Sequence, residues 1–188
     1  MSHIRVHEDG ITRCSWVTNE QIYIDYHDQE WGTGGRGQRE LFEAICLEGF
    51  QAGLSWITIL KRREGFRSAF DNFEIEKVAD FQEADVSRLM QDPGIIRNQA
   101  KIRSAIKNAN IVLEKDLDLE KLLWSFAPEL AQTPAEDFQW RASSPESDAM
   151  SKALKKLGFS FVGSTTMYAL MQSSGMVKDH APGCFRRD

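Results

Sequence analysis

The sequence feature that most constrains the fold is the segment CLEGFQAGLSW, which spans residues 46–56. The apolar residues at and before its start have the spacing of one helix face, and they are Leu41, Phe42, Ile45 and Cys46. Glu48 follows them, and a carboxylate in a hydrophobic core is unfavourable unless another group meets it. The chain therefore either ends a helix at this point or opens a pocket beside it.

Helical patterns dominate the rest of the chain, and an all-α fold is expected because alternating strand patterns are few. Ile102, Ile106, Ala109 and Leu113 are predicted to form the packing face of one helix. Residues 128–146 are predicted to be a connecting loop. The predicted helices lie near residues 39–48, 55–69 and 75–81, after Asp85 as far as DPGI, around 102–113, from Ser144 to Gly158, and within 161–175.

The composition is that of an ordinary globular protein, with 41% hydrophobic and 27% charged residues in a chain of 188. Residues 1–10 are interpreted as a polar extension in which His3 and His7 are solvated, and residues 11–188 as a single unit. No segment approaches the roughly 18 apolar residues of a membrane span, and the N-terminus has no signal sequence. We expect a cytoplasmic monomer that does not bind membranes.

Two cysteines and two histidines near the chain ends could form a metal site. Cys14 and His27 stand near the start, whereas His180 and Cys184 flank a Pro-Gly turn near the end. Two thiolates and two imidazoles are a ligand set of tetrahedral zinc. The same residues could instead be hydrogen-bonded histidines with two unrelated buried thiols, or with an occasional disulfide. The third cysteine, Cys46, is predicted to be core packing.

The segment LMQDPGIIRNQAKI, residues 89–102, resembles a helix-hairpin-helix motif that grips the DNA backbone. Gly94 and Ile95 would present backbone N–H groups at a helix N-terminus, with Arg97 and Lys101 close by. The net charge of −5 does not favour a nucleic acid, but residues 95–113 contain four basic and no acidic side chains. Ordinary turns and solvated helix faces produce similar patterns.

Aromatic side chains are concentrated near the potential metal ligands. Together with Glu48, they supply what is needed to stack a flipped base and to read its edge. Aromatic residues are also the usual content of a hydrophobic core. The rings in question are Trp16, Tyr23, Tyr26, Trp31 and Trp56.

These groups together resemble the DNA-3-methyladenine glycosylase I family, one of the helix-hairpin-helix glycosylases. The resemblance extends from about Cys14 to Cys184. The segments that carry it are RCSWV, YIDYHDQEWG, LFEAICLEGFQAGLSWITILKRRE, DPGIIRNQAKI, LWSF, SKALKKLGFSFVG and DHAPGC.

The resemblance implies a role for each group. One structural zinc bound by Cys14, His27, His180 and Cys184 would join the two ends of the chain. Glu48 would hydrogen-bond the damaged base, with Tyr26 and Trp56 stacking on it and Tyr23, Trp31 and Trp16 forming the wall. A helix-hairpin-helix near residues 86–113 would hold duplex DNA through Gly94, Ile95, Arg97 and Lys101. Gly49 and Gly53 would allow a helix break or a close approach, leaving Glu48 and Trp56 free to face the base.

The family lacks the catalytic aspartate of its wider superfamily, and neither Asp116 nor Asp118 is assigned that role. The activity implied is monofunctional excision of 3-methyladenine, which leaves an abasic site. Methylation makes this base cationic and weakens its glycosidic bond, so that strong acid catalysis is unnecessary. A zinc-stapled DNA-damage binding module without catalysis is the alternative from another class. A nucleoside hydrolase is a third possibility, although small substrates would not require the basic helix or the hairpin.

Overall fold

The computed structural model describes residues 2–129 and 132–187, and within these ranges it is mostly helical. Positions 130 and 131 of the expected connecting loop lie outside them. The described elements are β1 (Ile4–Val6), β2 (Thr12–Cys14), α1 (Gln21–Gln29), α2 (Gln38–Gln51), α3 (Trp56–Leu60), α4 (Arg63–Ala69), α5 (Ile75–Ala79), α6 (Glu83–Leu89), α7 (Gln99–Glu114), α8 (Leu119–Trp124), α9 (Pro145–Leu157) and α10 (Ser164–Ser173), with short 3-10 helices at Asp71–Phe73 and Ala135–Asp137.

Helix α2 lies at the centre of the core. Every residue from Leu41 to Phe50 is buried, including the predicted core residue Cys46. The neighbours of α2 include α3, α7, α8 and α10. Because these elements surround the helix, Glu43 and Glu48 are taken out of water together with the apolar residues around them.

A short antiparallel hairpin corrects the all-α expectation. β1 pairs with β2 so that Ile4 lies opposite Cys14, and the first ten residues are therefore not a free extension. His7, expected to be solvated, is only 6% exposed. Three-residue strands are too short to show the alternation by which a strand is recognised in a sequence.

The helix expected over residues 55–69 is two helices. α3 ends at Leu60, and α4 begins after Arg62, whose φ and ψ of −106° and 2° are not helical. Gly65 in α4 packs so closely on the loop after α6 that a Cβ atom there would lie 2.5 Å from the carbonyl oxygen of Gly94. The sequence has no glycine or proline at the break, which is why the helical pattern runs through it.

The other predicted helices are present with modest changes of boundary. α6 begins before Asp85, because Gln82 and Asp85 form a reciprocal capping box. Ser144 caps α9, and Gly158 ends it with a left-handed φ of +108°. Leu113 does not pack as predicted but is 42% exposed near the end of α7. Among the described residues, no helix is both long and apolar enough to cross a bilayer.

Candidate active site and metal cluster

A cavity of about 450 Å³ brings the predicted carboxylate and all five predicted rings together. The side chains come from the N-terminal segment, α1 and its end, the last turn of α2, and the start of α3. They are Trp16, Tyr23, Tyr26, Trp31, Glu48 and Trp56. The structure thus brings the six side chains into one pocket, and their roles toward a base stay a prediction.

Glu48 forms part of the pocket wall and is 4% exposed. Its carboxylate has no hydrogen bond or ion pair with any side chain in the described ranges. Burial raises the pKa of Glu48 from its ordinary 4.5 to about 8, although the positive charge of Arg36 acts in the opposite direction. At neutral pH the site therefore holds Glu48 mainly as the uncharged acid, and no side chain in the described ranges forms an ion pair with its charged form.

Local backbone geometry places Glu48 and Trp56 on either side of a turn. α2 does not break at Gly49, as one expectation had it, but continues to Gln51. Gly53 then adopts a φ of +85°, which glycine reaches without strain, and α3 begins at Trp56. The turn lets both ends of the segment face the same cavity.

The rings form two groups around the cavity. Tyr26 and Trp56 have centroids 5.5 Å apart with their planes at 43°. Trp16 lies 5.1 Å from Tyr23 and 5.1 Å from Trp31. Burial raises the pKa of Tyr26, so this phenol stays neutral. The lining thus combines apolar ring faces with the single carboxylate of Glu48.

Five further polar or aromatic lining residues escaped the sequence analysis, namely Ser15, Gln51, Trp140, Arg141 and Gln172. Trp140 and Arg141 come from the segment interpreted as a mere connection. Trp140 packs edge-on against Phe138 with centroids 5.1 Å apart. The aromatic pair in FQWR, inside an otherwise polar loop, is the signal that could have identified them.

A second cavity of about 200 Å³ adjoins the first and shares Tyr26, Glu48 and Trp56 with it. Arg36 lines this second cavity, and its guanidinium donates a 2.7 Å hydrogen bond to the carbonyl oxygen of Ser173 at the end of α10. The indole Nε1 of Trp56 is buried and has no hydrogen-bond partner in the part of the chain that is described.

The four predicted metal ligands converge in one buried cluster. Their ligand atoms lie within 4.8 Å of one another. Cys184 Sγ is 3.4 Å from His27 Nε2 and 3.7 Å from His180 Nδ1, and Cys14 Sγ is 3.8 Å from His180 Nδ1. Sulfur and nitrogen ligands around a tetrahedral ion such as zinc are separated by roughly 3.6 Å. The donor set and its spacing therefore fit a metal ion, and within the described residues all three cysteines are free thiols.

Hydrogen bonds around the cluster orient its imidazoles. Nδ1 of His27 lies 2.7 Å from Asp28 Oδ1, which leaves Nε2 facing the thiols. Arg13 in turn donates to Asp28 from Nε and Nη2, with a closest contact of 2.7 Å. Hydrogen bonds from Cys14 and the two imidazoles lower the pKa of Cys184. A carboxylate that contacts the second ring nitrogen, as Asp28 does for His27, is typical of metal-binding histidines.

The cluster also touches the pocket wall. The ring of His27 lies 5.3 Å from that of Trp16, and the ring of His180 lies 4.6 Å from that of Trp31. The segments that hold the four ligands therefore also position two of the pocket rings.

The turn between α6 and α7 agrees only partly with expectation. Ile95 is buried, Arg97 is exposed, and the Gly94 N–H donates to Asp92 Oδ1 at 2.7 Å. Lys101 is the correction: it does not lie on an open basic face, because its Nζ donates to the carbonyl oxygens of Phe50 and Ala52 at 2.9 and 2.7 Å. The carbonyls at the end of α2 need donors, which explains this inward orientation.

Neither unassigned aspartate lines the pocket. Asp118 is the N-cap of α8 and accepts a hydrogen bond from the backbone N–H of Lys121. Asp116 is exposed in the preceding turn, where it has a left-handed φ of 48°. Both positions are explained by the loop between α7 and α8.

Comparison with known proteins identifies the relatives of this chain. A family model described as methyladenine glycosylase matches residues 16–187. DNA-3-methyladenine glycosylase 1 of Escherichia coli (strain K12) is 49% identical over 178 residues, which cover 92% of this chain and 95% of that protein. A crystal structure of 3-methyladenine DNA glycosylase I gives a TM-score of 0.87 at 48% identity, covering 92% of this chain and 98% of the other.

A structure of 3-methyladenine DNA glycosylase I from Staphylococcus aureus, solved to show how that enzyme recognises 3-methyladenine, is similar at lower identity. Its TM-score is 0.86 at 31% identity, with 94% of this chain and 96% of the other covered. The similarity in both sequence and fold extends over nearly the whole chain.

Proposed function

The chain belongs to the methyladenine glycosylase family, and we infer from this membership and from the pocket that it is an N-glycosyl hydrolase excising 3-methyladenine from alkylated DNA in base-excision repair. The observation that carries this proposal is the buried, unpartnered Glu48 carboxylate among aromatic side chains. A cationic base both stacks on such rings and supplies the positive charge that the carboxylate needs as a partner. A cytoplasmic location accords with a DNA substrate.

The reaction needs little help in activating its leaving group. Water adds through its oxygen to the sugar C1′, the bond from C1′ to the base nitrogen breaks, and its electron pair neutralises the methylated base. The proton of the water passes to solvent, and an abasic site remains without strand cleavage. The pocket contributes by holding the flipped base and by favouring a base that carries a positive charge. It also excludes water molecules that would compete for the hydrogen bonds of the base.

Each pocket residue is proposed to act through its position. Glu48 accepts hydrogen bonds from the edge of the base, and Tyr26 and Trp56 stack on its face. Trp16, Tyr23 and Trp31 complete the wall. The approach of a cation favours the ionised form of Glu48 and thereby lowers its raised pKa. The pocket would therefore prefer a cationic base over a neutral adenine.

A base-release assay on methylated duplex DNA tests the proposed function. The wild-type protein is expected to liberate free 3-methyladenine and to leave the strands intact. Trp56→Ala is expected to slow release about tenfold or more, since a stacked ring contributes about 1–3 kcal/mol. A wild-type protein that binds such DNA but liberates no base would contradict the proposal and favour a non-catalytic binding module.

We further propose that α6, the turn and α7 form a helix-hairpin-helix, near residues 86–113, that holds double-stranded DNA. The exposed Arg97 beside the start of α7 supports this, as does the position of Ile95 before that helix, whereas the N–H of Gly94 is already bonded within the turn. Backbone N–H groups at a helix N-terminus attract phosphate. Lys101 is not part of this proposal because its ammonium binds the end of α2.

Zinc is proposed as the metal of the cluster, held by Cys14, His27, His180 and Cys184. The ion would supply a structural bond between the two ends of the chain, and no reaction step depends on it. Elemental analysis is expected to find about one zinc per chain, because a complete tetrahedral set binds one ion. Cys184→Ser is expected to lose the zinc and several kcal/mol of folding stability.

Cys46→Ala is the matched control for the zinc experiment, because Cys46 is also a buried free thiol but lies outside the cluster. This variant is expected to keep its zinc. Retention of zinc by Cys184→Ser, or a metal-free wild type that is equally stable, would contradict the proposed metal site.

A further inference from the structure

Phe161, in the loop between α9 and α10, has a conformation that core packing does not explain. Its φ is +57°, in the left-handed region that side chains with a Cβ atom rarely adopt. The residue is nevertheless 40% exposed to solvent. A strained backbone thus presents an aromatic ring outward, an arrangement that is typical of functional positions.

The loop is held in place by hydrogen bonds from α7. The carbonyl oxygen of Ser160 accepts from the Ser104 hydroxyl and from Asn108 Nδ2, both at 3.1 Å. The Ser160 N–H donates to Asn108 Oδ1 at 3.0 Å. These three bonds to the backbone of the residue before Phe161, with a fourth from Lys107 Nζ to the Ser160 hydroxyl at 3.2 Å, stabilise the loop and offset its backbone strain.

Phe161 also lies beside the elements that the proposed function uses. A Cβ atom added to Gly49 would lie 3.3 Å from the Cβ of Phe161, a tight contact that the glycine avoids. Lys101 Nζ lies 5.9 Å from the ring centroid while it binds the carbonyls of Phe50 and Ala52. The ring is therefore next to the first turn of α7 and to the end of α2 that carries Glu48.

Resting on the proposed function, we propose that Phe161 contacts the DNA duplex beside the extruded nucleotide. A duplex held at the turn before α7, with one nucleotide in the pocket at the end of α2, passes over the surface between them. Aromatic side chains stack on exposed bases, and apolar side chains pack into opened base steps. The exposed ring is already positioned for this contact, so no energy is spent on ordering it when DNA binds.

The test compares two binding affinities of Phe161→Gly with those of the wild type. Fluorescence anisotropy would measure the Kd for a duplex containing a tetrahydrofuran abasic-site analogue, and tryptophan fluorescence the Kd for free 3-methyladenine. We expect about a tenfold weakening for the duplex, as for loss of one stacked ring. The affinity for 3-methyladenine is expected to stay unchanged, and Tm not to fall, since glycine relieves the strain at this φ.

Two controls make the result specific. Phe161→Trp, which keeps a ring, is expected to retain most of the duplex affinity. Val6→Ala truncates another exposed apolar side chain, in β1 and outside the proposed helix-hairpin-helix, and should not change it. Unchanged duplex affinity of Phe161→Gly, or a parallel loss of both affinities with a lower Tm, would overturn the proposal. A failure of the proposed function would appear instead as a wild type that releases no base.

Discussion

Two buried carboxylates on the same helix are treated in opposite ways by this fold. Glu43 is 5% exposed and Glu48 is 4% exposed, and both lie on α2. Glu43 accepts hydrogen bonds from Arg39 and Arg67, each at 2.8 Å. Glu48 has no such partner within residues 2–129 and 132–187. Equal burial therefore does not indicate an equal role: the paired carboxylate stabilises α2 and α4, and the unpaired one is available to a ligand.

Replacement of one of these two carboxylates is expected to have its largest effect on the free energy of unfolding. Below pH 4.5 Glu48 is protonated in both the folded and the unfolded state, so it does not lower the free energy of unfolding in that pH range. As the pH rises from 4.5 to about 8, the unfolded chain loses this proton first and the free energy of unfolding falls. Glu48→Gln removes that penalty, so the variant is expected to be more stable than the wild type at about pH 9, by on the order of 5 kcal/mol at most.

Urea unfolding at several pH values would measure this difference, with Glu43→Gln as the matched control. That control is expected to lose stability, by about 1–2 kcal/mol, because two guanidiniums lose a buried acceptor. A Glu48→Gln protein that is no more stable than the wild type at high pH would show that the carboxylate has a partner in the fold after all.

The next effect is on catalysis. Glu48→Gln is expected to slow base release from methylated duplex DNA roughly tenfold to 100-fold, because a hydrogen bond to a charged group is worth about 1.5–3 kcal/mol. Glu43→Gln should release base at the wild-type rate. Similar losses in the two variants would mean that Glu48 acts through the structure of α2 and does not act on the base.

The smallest expected effect concerns the positive charge of Arg36, which acts on Glu48. Arg36 lowers the pKa of Glu48, and hence its removal in Arg36→Met should raise that pKa further. The ionised fraction of Glu48 then increases only at higher pH, so the rise of kcat/KM with pH is expected to shift upward by less than about one pH unit. Arg36→Lys keeps the charge and should keep the wild-type profile. A shift of the profile in both variants, or in neither, would contradict this role.

The pocket and metal residues are predictable because residues of these types are rarely found in such positions without a specific role. Burial of a carboxylate within an apolar segment, as at Glu48, is unfavourable unless another group interacts with it. Cys14 and Cys184 are two of only three cysteines, and each end of the chain also supplies a histidine. Such signals, together with the family resemblance, are visible without coordinates. Gly53 is a related case, since its position just after α2 already suggested a turn.

Other parts of the site depend on tertiary contacts that a sequence does not show. Trp140 and Arg141 reach the pocket because the N-terminal hairpin and this loop pack together, with the His3 ring 6.2 Å from that of Trp140. Lys101 has the spacing of an exposed basic residue, yet it turns inward because α2 happens to end beside it. The close approach of Gly65 in α4 to Gly94 is likewise a contact between segments that the sequence alone does not show.

The most direct test of the central claim, that the fold leaves Glu48 without a partner so that a cationic base can supply one, is the pKa of Glu48 itself. Carbon-13 NMR titration of its carboxyl group would be performed on the free protein and with 3,9-dimethyladeninium, a cation in which methyl replaces the sugar. The prediction is a pKa of about 8 in the free protein that falls when the cation binds. An ordinary pKa near 4.5 in the free protein, or one that the bound cation leaves unchanged, would contradict the claim.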